Sequence, residues 1–241
     1  MDVLIVGSGA REHAIGEKIK SNPNVKKLYF APGNGGTMEI GENIDISPTD
    51  IDSLLNFAKD YNVDFTIVGP EDPLNFGIVD KFEDKGLKIF GPRKESAILE
   101  GSKAYAKEFM IKHKIPTAEY GTFTNYDDAL DFTLNLLDKN GKAVLKADGL
   151  KAGKGVFIVN NKEEAKTSLE EIFNGNLNDS KVVVEEFLNG FEMSLIAFVD
   201  NNTIKVLPSS KDHKNIYEND AGPNTGGMGT YSPNFQADIY N

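Results

Sequence analysis

The chain of 241 residues contains no cysteine. That absence excludes disulfide frameworks, thiolate metal sites and cysteine nucleophiles, and it is compatible with the cytoplasm. No apolar run reaches the ~18 residues that a membrane span requires. The start, Met1-Asp2-Val3-Leu4-Ile5-Val6-Gly7, lacks the basic segment and cleavage site of a signal peptide and reads as a core strand. Basic residues are in deficit: 26 Lys and Arg against 37 Asp and Glu leave a net charge of −11. Such a balance argues against broad nucleic-acid binding, but it does not forbid a local positive site for an anionic substrate. There is no internal repeat or low-complexity tract. With 39% hydrophobic and 26% charged residues, the chain fits a soluble globular protein of one large or two small domains.

The first hundred residues alternate between two periodicities. Residues 2 to 6 are continuously apolar, as in a strand buried on both faces. Gly7-Ser8-Gly9-Ala10 turns into a helix with Ala14, Ile15 and Ile19 on one side. Strand patterns recur at Lys27–Phe30, Asp64–Val68 and Leu87–Phe90. Between them, Leu54, Leu55, Ala58 and Tyr61 are spaced for a helix over 51–61. Ser47 is placed to cap it, with Pro48 at the first helical position. Gly77–Lys85 is the next helix candidate. Strands alternating with helices predict a parallel sheet with right-handed crossovers.

Gly7-x-Gly9 after a strand suggests a dinucleotide fold, but position 12 is Glu12 where the fingerprint needs a third glycine. No acidic residue ends the second strand, which runs into Ala31-Pro32-Gly33-Asn34-Gly35-Gly36. The sheet and the helix N-terminus are therefore kept as an anion site, and NAD is demoted. Loops at Pro32–Thr37, Gly69–Pro73 and Gly91–Arg93 would leave the same sheet edge. Each alone reads as ordinary turn chemistry; together they favour a ligand. Arg11 and His13 in the first helical turn could meet a phosphate, and a capping or surface role for His13 is an equal alternative.

Lys103 to His113 is the next helix, and Pro116 marks a boundary. A strand is expected at Tyr120–Phe123 and a helix at Tyr126–Asn140 with Leu130, Leu134 and Leu137 on one face. The stretch from Leu145 to Val156 carries Lys146, Lys151 and Lys154 interleaved with Gly149, Gly153 and Gly155. Two strands joined by such a loop can wrap polyphosphate with backbone N–H groups and ammoniums. A mobile hairpin with solvated lysines is the alternative. It is not a Walker A motif, because no Gly-Lys-Ser/Thr follows a strand at that spacing. A helix near Lys162–Asn174 and a strand over Lys181–Phe187 follow, the strand carrying Glu185 and Glu186. A β-rich stretch then runs through Leu207. The last block, 209–214 and 222–229, is too polar and glycine-rich for strand or helix. It reads as a functional loop or a linker, and Gly226-Gly227-Met228-Gly229 could bind a carboxylate or phosphate.

Read together, these segments resemble the glycinamide ribonucleotide synthetase (phosphoribosylamine–glycine ligase) family of ATP-grasp enzymes. The resemblance rests on Gly7-x-Gly9-x-Arg11-Glu12-His13, Pro32-Gly33-Asn34-x-Gly36-Thr37, Gly69-Pro70-Glu71, Gly101-Ser102-Lys103, Lys146-Ala147-Asp148-Gly149, Gly153-Lys154-Gly155, Glu185-Glu186-Phe187-Leu188 and Asp212-His213-Lys214. Its most specific piece is Gly222-Pro223-Asn224-Thr225-Gly226-Gly227-Met228-Gly229. It implies an α/β fold: a Rossmann-like pre-ATP-grasp sheet over 1–101, then an ATP-grasp domain over 102–241 with a lid at about 118–188.

By the same resemblance, Lys103 and Lys146 reach the ATP phosphates. Gly149, Lys151, Gly153, Lys154 and Gly155 form the closing loop. Glu185, Glu186, Phe187 and Leu188 form the adenine hinge, and Glu192 holds the ribose. Lys146, Lys211, Asp212 and His213 are the catalytic candidates. Gly9, Arg11, Glu12, His13, Gly33, Asn34, Glu71, Asp212, Asn224, Thr225, Gly226 and Gly227 are the substrate-binding candidates for glycine and 5-phosphoribosylamine. The cofactors implied are ATP and Mg2+ (or Mn2+), in a step of purine biosynthesis.

Two departures stand out. The family's later Glu-Phe-Asn and Arg-Phe-Gly-Asp-Pro-Glu segments are not in these 241 residues. The expectation is a portion of the enzyme, somewhat more than half, inactive alone and without its metal ligands. Lys151 stands where relatives carry a small residue. Alternatives are a non-catalytic nucleotide-binding fragment or another purine-pathway ATP-grasp ligase.

Overall fold

The computed structural model describes residues 1–150, 155–218 and 221–235. They form two compact units, Met1–Phe109 and Met110–Asn241. Unit 1 runs β1 (Asp2–Gly7), α1 (Ala10–Lys20), β2 (Lys27–Pro32), a 3-10 turn (Thr37–Glu39), β3 (Glu42–Asn43) and α2 (Ile51–Asp60). It continues with β4 (Phe65–Val68), α3 (Glu71–Asn75), α4 (Ile78–Glu83), β5 (Ile89–Phe90), α5 (Lys94–Gly101) and α6 (Lys103–Lys112), the last crossing the unit boundary.

The five strands pair in the order β3-β2-β1-β4-β5, all parallel. Alternation along β1 assigns its side chains to two cores. Leu4 and Val6 pack with Leu54, Ala58, Val79 and Phe82 of α2 and α4. Val3 and Ile5 pack with Phe30, Ile15 and Ile19, on the α1 side. Helices on both faces explain why β1 reads as an uninterrupted apolar run. Strands are added outward through β2 and β3 on one side of β1 and then through β4 and β5 on the other, so the winding switches between β1 and β4 and a crevice opens at the carboxyl ends of those two strands.

Local details differ from the sequence-based expectations. Ala14 is exposed, and the buried stripe of α1 is Glu12 and Gly16 with Ile15 and Ile19 half-buried. Gly16 lets the helix approach the sheet: a β-carbon there would lie 2.5 Å from Phe30 Cζ. Asp50, not Ser47, caps α2, accepting from the Ser53 N–H at 3.1 Å. Hydrogen bonding from Ser53 holds the Asp50 carboxyl below its ordinary pKa. Its contribution is thus present above the unfolded carboxylate pKa and lost as pH falls through the folded one. Glu71 opens the short α3 rather than lying in a loop, and α5 follows Arg93 directly.

Unit 2 begins with β6 (Tyr120–Phe123), α7 (Tyr126–Asn140), β7 (Ala143–Ala147), β8 (Val156–Val159), α8 (Lys162–Phe173) and β9 (Val182–Glu186). The strands form an antiparallel sheet ordered β6-β9-β7-β8. Helices α7 and α8 are N-capped by Asn125 and Asn161 and pack on one face over Leu145, Val182 and Val184. The stripe α7 buries is Ala129, Thr133 and Leu136, with Leu130 and Leu137 flanking. That is one position away from the leucine stripe expected, because small residues let the helix sit closer to the strands.

Two hairpins follow, β10 (Ala197–Val199) with β11 (Ile204–Val206) and β12 (Lys211–Tyr217) with β13 (Ala221–Tyr231). The second overturns the reading of 209–229 as too polar for a strand. Its ladder needs only backbone donors and acceptors, and the turns of the sequence are absorbed by register shifts between His213 and Tyr217. Neither hairpin has an interior: among the described residues, no apolar side chain after Val184 is buried. Leu195, Ile196, Phe198, Ile204 and Tyr217 are all exposed. Ile204→Thr, at a side chain 70% exposed, is expected to change stability by less than ~0.5 kcal/mol. It should lower the binding of a fluorescent apolar dye. Urea titration and dye fluorescence on the same samples check both.

Candidate functional site

In unit 1 the three loops at the open edge of the sheet are tied to one another. Asn34 Nδ2 donates to the Ser8 carbonyl at 2.9 Å, while its Oδ1 accepts from the Gly36 and Thr37 amides at 2.8 and 3.0 Å. Arg11 Nη1 donates to the Gly69 carbonyl at 2.9 Å. Thr37 Oγ1 donates to Asn43 Oδ1 at 2.7 Å and accepts from the Asn34 amide at 2.7 Å. Gly33 has φ +74 and a β-carbon there would meet Asn43 at 2.3 Å, so only glycine fits.

Glu12 sits at the centre of this edge. It is 3% exposed, and its Oε2 accepts from the Gly9 N–H at 2.6 Å. Gly7, Gly9 and Gly69 all face it: β-carbons would lie 2.7, 2.9 and 1.9 Å from its side-chain atoms. The residue that breaks the dinucleotide fingerprint thus places a carboxylate under the loop and takes one N-terminal donor of α1 for itself. Beside it is a cleft of about 370 Å3 lined by Gly7, Ser8, Gly9, Glu12, Pro48, Thr49, Pro70, Asp72 and Pro73. Of the expected substrate residues, Gly9 and Glu12 line it. Arg11, Gly33 and Asn34 instead brace the surrounding loops. His13 packs against Gly36 and lies 3.8 Å from Glu17. Glu71 stands in the first turn of α3. Ser8, Thr49 and Asp72 were not singled out from sequence. Ser8 could have been, since it lies inside the glycine loop; Thr49 reaches the cleft from a loop that no local pattern marks.

In unit 2 the candidate groups lie on the sheet face opposite α7 and α8. The β7–β9 register sets Lys146 against Val183 and Val144 against Glu185. Lys146 and Glu185 are therefore diagonal neighbours on one face. Their side chains meet at 2.8 Å, with Lys146 28% and Glu185 7% exposed. Strand pairing adds Tyr120 and Thr122 to that face, a juxtaposition visible only once the strands are paired. Glu186 points to the other side, where its Oε1 accepts from the Glu119 amide at 2.9 Å. Glu119 in turn binds Lys139, whose pKa it raises. The Phe187 ring lies under Lys142 Nζ at 4.9 Å, and Leu188 is exposed. Gly149 adopts φ +75, and Gly155 accepts from the Ala147 amide at 2.8 Å. Lys151, Gly153 and Lys154 lie outside the described residues.

The β12–β13 hairpin brings the last candidates together. Asp212 pairs with Thr230, His213 with Gly229 and Asn215 with Asn224. Thr225 Oγ1 donates to the Lys214 carbonyl at 2.8 Å and accepts from the Gly227 amide at 3.0 Å. Asp212 lies 3.4 Å from Lys214, and Lys211 and Asp212 are half-buried. Gly226 is in β13 with open space where a β-carbon would go. Glu192 is exposed and precedes both hairpins. Lys103 begins α6. A larger cavity of about 720 Å3, lined by Tyr126, Phe157, Lys166 and Glu170 among others, contains none of the expected residues; size alone does not mark the chemistry here.

Both segments of the chain match known proteins. Residues 1–100 match the phosphoribosylglycinamide synthetase N domain, and residues 101–238 match the phosphoribosylglycinamide synthetase ATP-grasp (A) domain. The phosphoribosylamine–glycine ligase of Haemophilus influenzae is 50% identical over 97% of this chain and 55% of its own length. The crystal structure of the Thermotoga maritima phosphoribosylamine–glycine ligase superposes with a TM-score of 0.80 at 34% identity, over 97% of this chain and 56% of that one. The D-alanine–D-alanine ligase of Bacillus anthracis shares the fold, with a TM-score of 0.66 at 19% identity over all of this chain and 74% of that one. The chain therefore spans about half the length of the curated relatives it matches. An α/β Rossmann-like sheet followed by part of an ATP-grasp fold, matched along both segments, means that this chain belongs to the phosphoribosylglycinamide synthetase family.

Proposed function

We propose that the chain supplies the ATP- and substrate-binding portion of a cytoplasmic ligase that joins glycine to 5-phosphoribosylamine, converting ATP to ADP and phosphate. The observation that carries this reading is 50% identity across nearly the whole chain to a phosphoribosylamine–glycine ligase. In this reading residues 1–101 hold substrate, residues 102–241 hold nucleotide and about 118–188 form the lid.

Glycine carboxylate is a poor acylating agent because oxide does not leave. Attack of a carboxylate oxygen on the γ-phosphorus breaks the bond to ADP and gives glycyl phosphate. The amine of phosphoribosylamine then attacks the acyl carbon, and phosphate leaves with the former carboxylate oxygen. The protein's task is positioning and charge neutralisation. Lys146, held by Glu185 on the sheet face opposite α7 and α8, presents its ammonium to the phosphates, and the family resemblance makes Lys103 the second cation. The 149–155 loop closes over them. Backbone groups of Glu185–Leu188 read the adenine and Glu192 the ribose. Lys211, Asp212 and His213 lie where phosphate and acceptor meet, and Asn224–Gly227 help to hold glycine and phosphoribosylamine. The cleft beside Glu12 receives the amine substrate.

Among the described residues no three His, Asp or Glu side chains converge to hold a metal ion.

The test measures ADP release with ATP, glycine and freshly made phosphoribosylamine for this chain beside a full-length relative, with nucleotide binding by calorimetry. ATP binding by this chain, with turnover only in the longer protein, is the expected result. Failure of ATP to bind sinks the nucleotide reading. Turnover by the relative that does not depend on glycine sinks the substrate assignment.

A further inference from the structure

The chain contains four Asn-Gly pairs, Asn34-Gly35, Asn140-Gly141, Asn174-Gly175 and Asn189-Gly190. Asn-Gly is the dipeptide most open to intramolecular attack by the backbone on the side-chain amide. Glycine leaves its own nitrogen unhindered and free to rotate. The reaction needs a mobile amide side chain and a following backbone nitrogen that can swing toward Cγ. Each hydrogen bond on either group must first be broken.

Three of the pairs are restrained in this way. The Asn34 side chain makes hydrogen bonds with Ser8, Gly36 and Thr37. Asn140 is the last residue of α7, and the Gly141 amide donates to the Leu137 carbonyl at 2.8 Å in the helix cap. Asn174 Nδ2 donates to Glu170 Oε1 at 3.1 Å, and the Gly175 amide donates to the Glu170 carbonyl at 2.9 Å. The fourth differs. Asn189 and Gly190 are both exposed in an irregular segment after β9. Neither has a hydrogen bond to any of the described residues, and no atom lies within 4 Å of where a Gly190 β-carbon would be.

We propose that Asn189 is a site of spontaneous deamidation in this protein, with water as co-reactant. The Gly190 nitrogen loses its proton to solvent base and attacks Asn189 Cγ. The N–Cγ bond forms, the Cγ–Nδ2 bond breaks and ammonia leaves with the proton, giving a succinimide. Water opens the ring at either carbonyl, yielding aspartate or isoaspartate. Either product adds a negative charge one residue beyond Leu188; isoaspartate also inserts a methylene into the backbone there. In the reading of Glu185–Leu188 as the adenine hinge, this charge weakens binding of the anionic nucleotide. That consequence rests on the proposed function, whereas the modification does not.

The experiment incubates the whole chain in mildly alkaline buffer at physiological temperature and follows each Asn-Gly peptide by mass spectrometry. Asn189 is expected to gain one mass unit at least roughly tenfold faster than the other three, each tenfold being ~1.4 kcal/mol in barrier. Gly190→Ala should stop the change, because the β-carbon hinders attack while meeting nothing in the fold. Comparable rates at all four pairs, or a faster change at any other, overturn the proposal. ATP titration of aged protein and aged Gly190→Ala protein then separates the two claims. Weaker binding in the first alone supports the hinge consequence. Equal binding despite a modified Asn189 overturns that consequence and leaves the modification standing.

Discussion

Gly69→Ala is expected to destabilise unit 1 by about 3 kcal/mol, the upper part of the usual range for overpacking. The new β-carbon would lie 1.9 Å from Glu12 Oε1 and 2.4 Å from its Cδ. A long side chain at a surface would move aside. Glu12 cannot, because it is buried, its other oxygen is fixed by the Gly9 amide at 2.6 Å, and Gly7 and Gly9 close the remaining directions. The loop after β4 must shift instead, and the Arg11 bond to the Gly69 carbonyl shifts with it. Removing the obstacle should remove the effect. In a Glu12→Ala background, Gly69→Ala is expected to cost less than ~1 kcal/mol, a coupling of ~2 kcal/mol between residues in contact. Urea midpoints with an unchanged denaturant slope measure it. Equal costs in both backgrounds would show that Glu12 is not what excludes a side chain at position 69.

Lys146→Met is expected to cost about 3 kcal/mol, the low end for breaking a buried ion pair because Lys146 retains 28% exposure. Methionine keeps the stem but leaves the Glu185 carboxylate, 7% exposed, without the ammonium 2.8 Å away. Neutralising both partners, Lys146→Met with Glu185→Gln, should return most of the loss, since the desolvated charge is then gone. ATP binding separates structure from ligand chemistry. The single variant and the pair are both expected to lose affinity, because neither presents a cation to the phosphates. A double variant that is stable and still binds ATP as tightly as the parent would remove Lys146 from the phosphate site.

Both effects turn on residues that sequence patterns could name but not connect. Lys146 stood out by its place before a glycine-rich loop and Glu185 by its place at a strand end. That they share a face follows from strand order β6-β9-β7-β8 and from register, to which no local pattern is sensitive. Local pattern read Glu12 as a missing glycine, and the family resemblance made it a substrate-binding candidate. Its role as the post around which three glycines close depends on bringing the loops after β1 and β4 together across the sheet. The polar stretch 211–231 was misjudged for a related reason. Its strands are held by backbone pairing, and their side chains bury nothing among the described residues.

Short-range patterns were enough for the elements that local physics controls. The unbroken apolar run of β1 demanded cover on both faces, the spacing of Leu54, Leu55 and Ala58 demanded a helix, and the ordered motifs identified the family. Which carboxylate meets which cation, which glycines have no room for a side chain, and which of four Asn-Gly pairs is unrestrained all depend on the folded chain. Those outcomes are set by distances between segments far apart in the chain. Periodicity and propensity act over a few residues, whereas a 2.8 Å ion pair between β7 and β9 exists only after the sheet has closed.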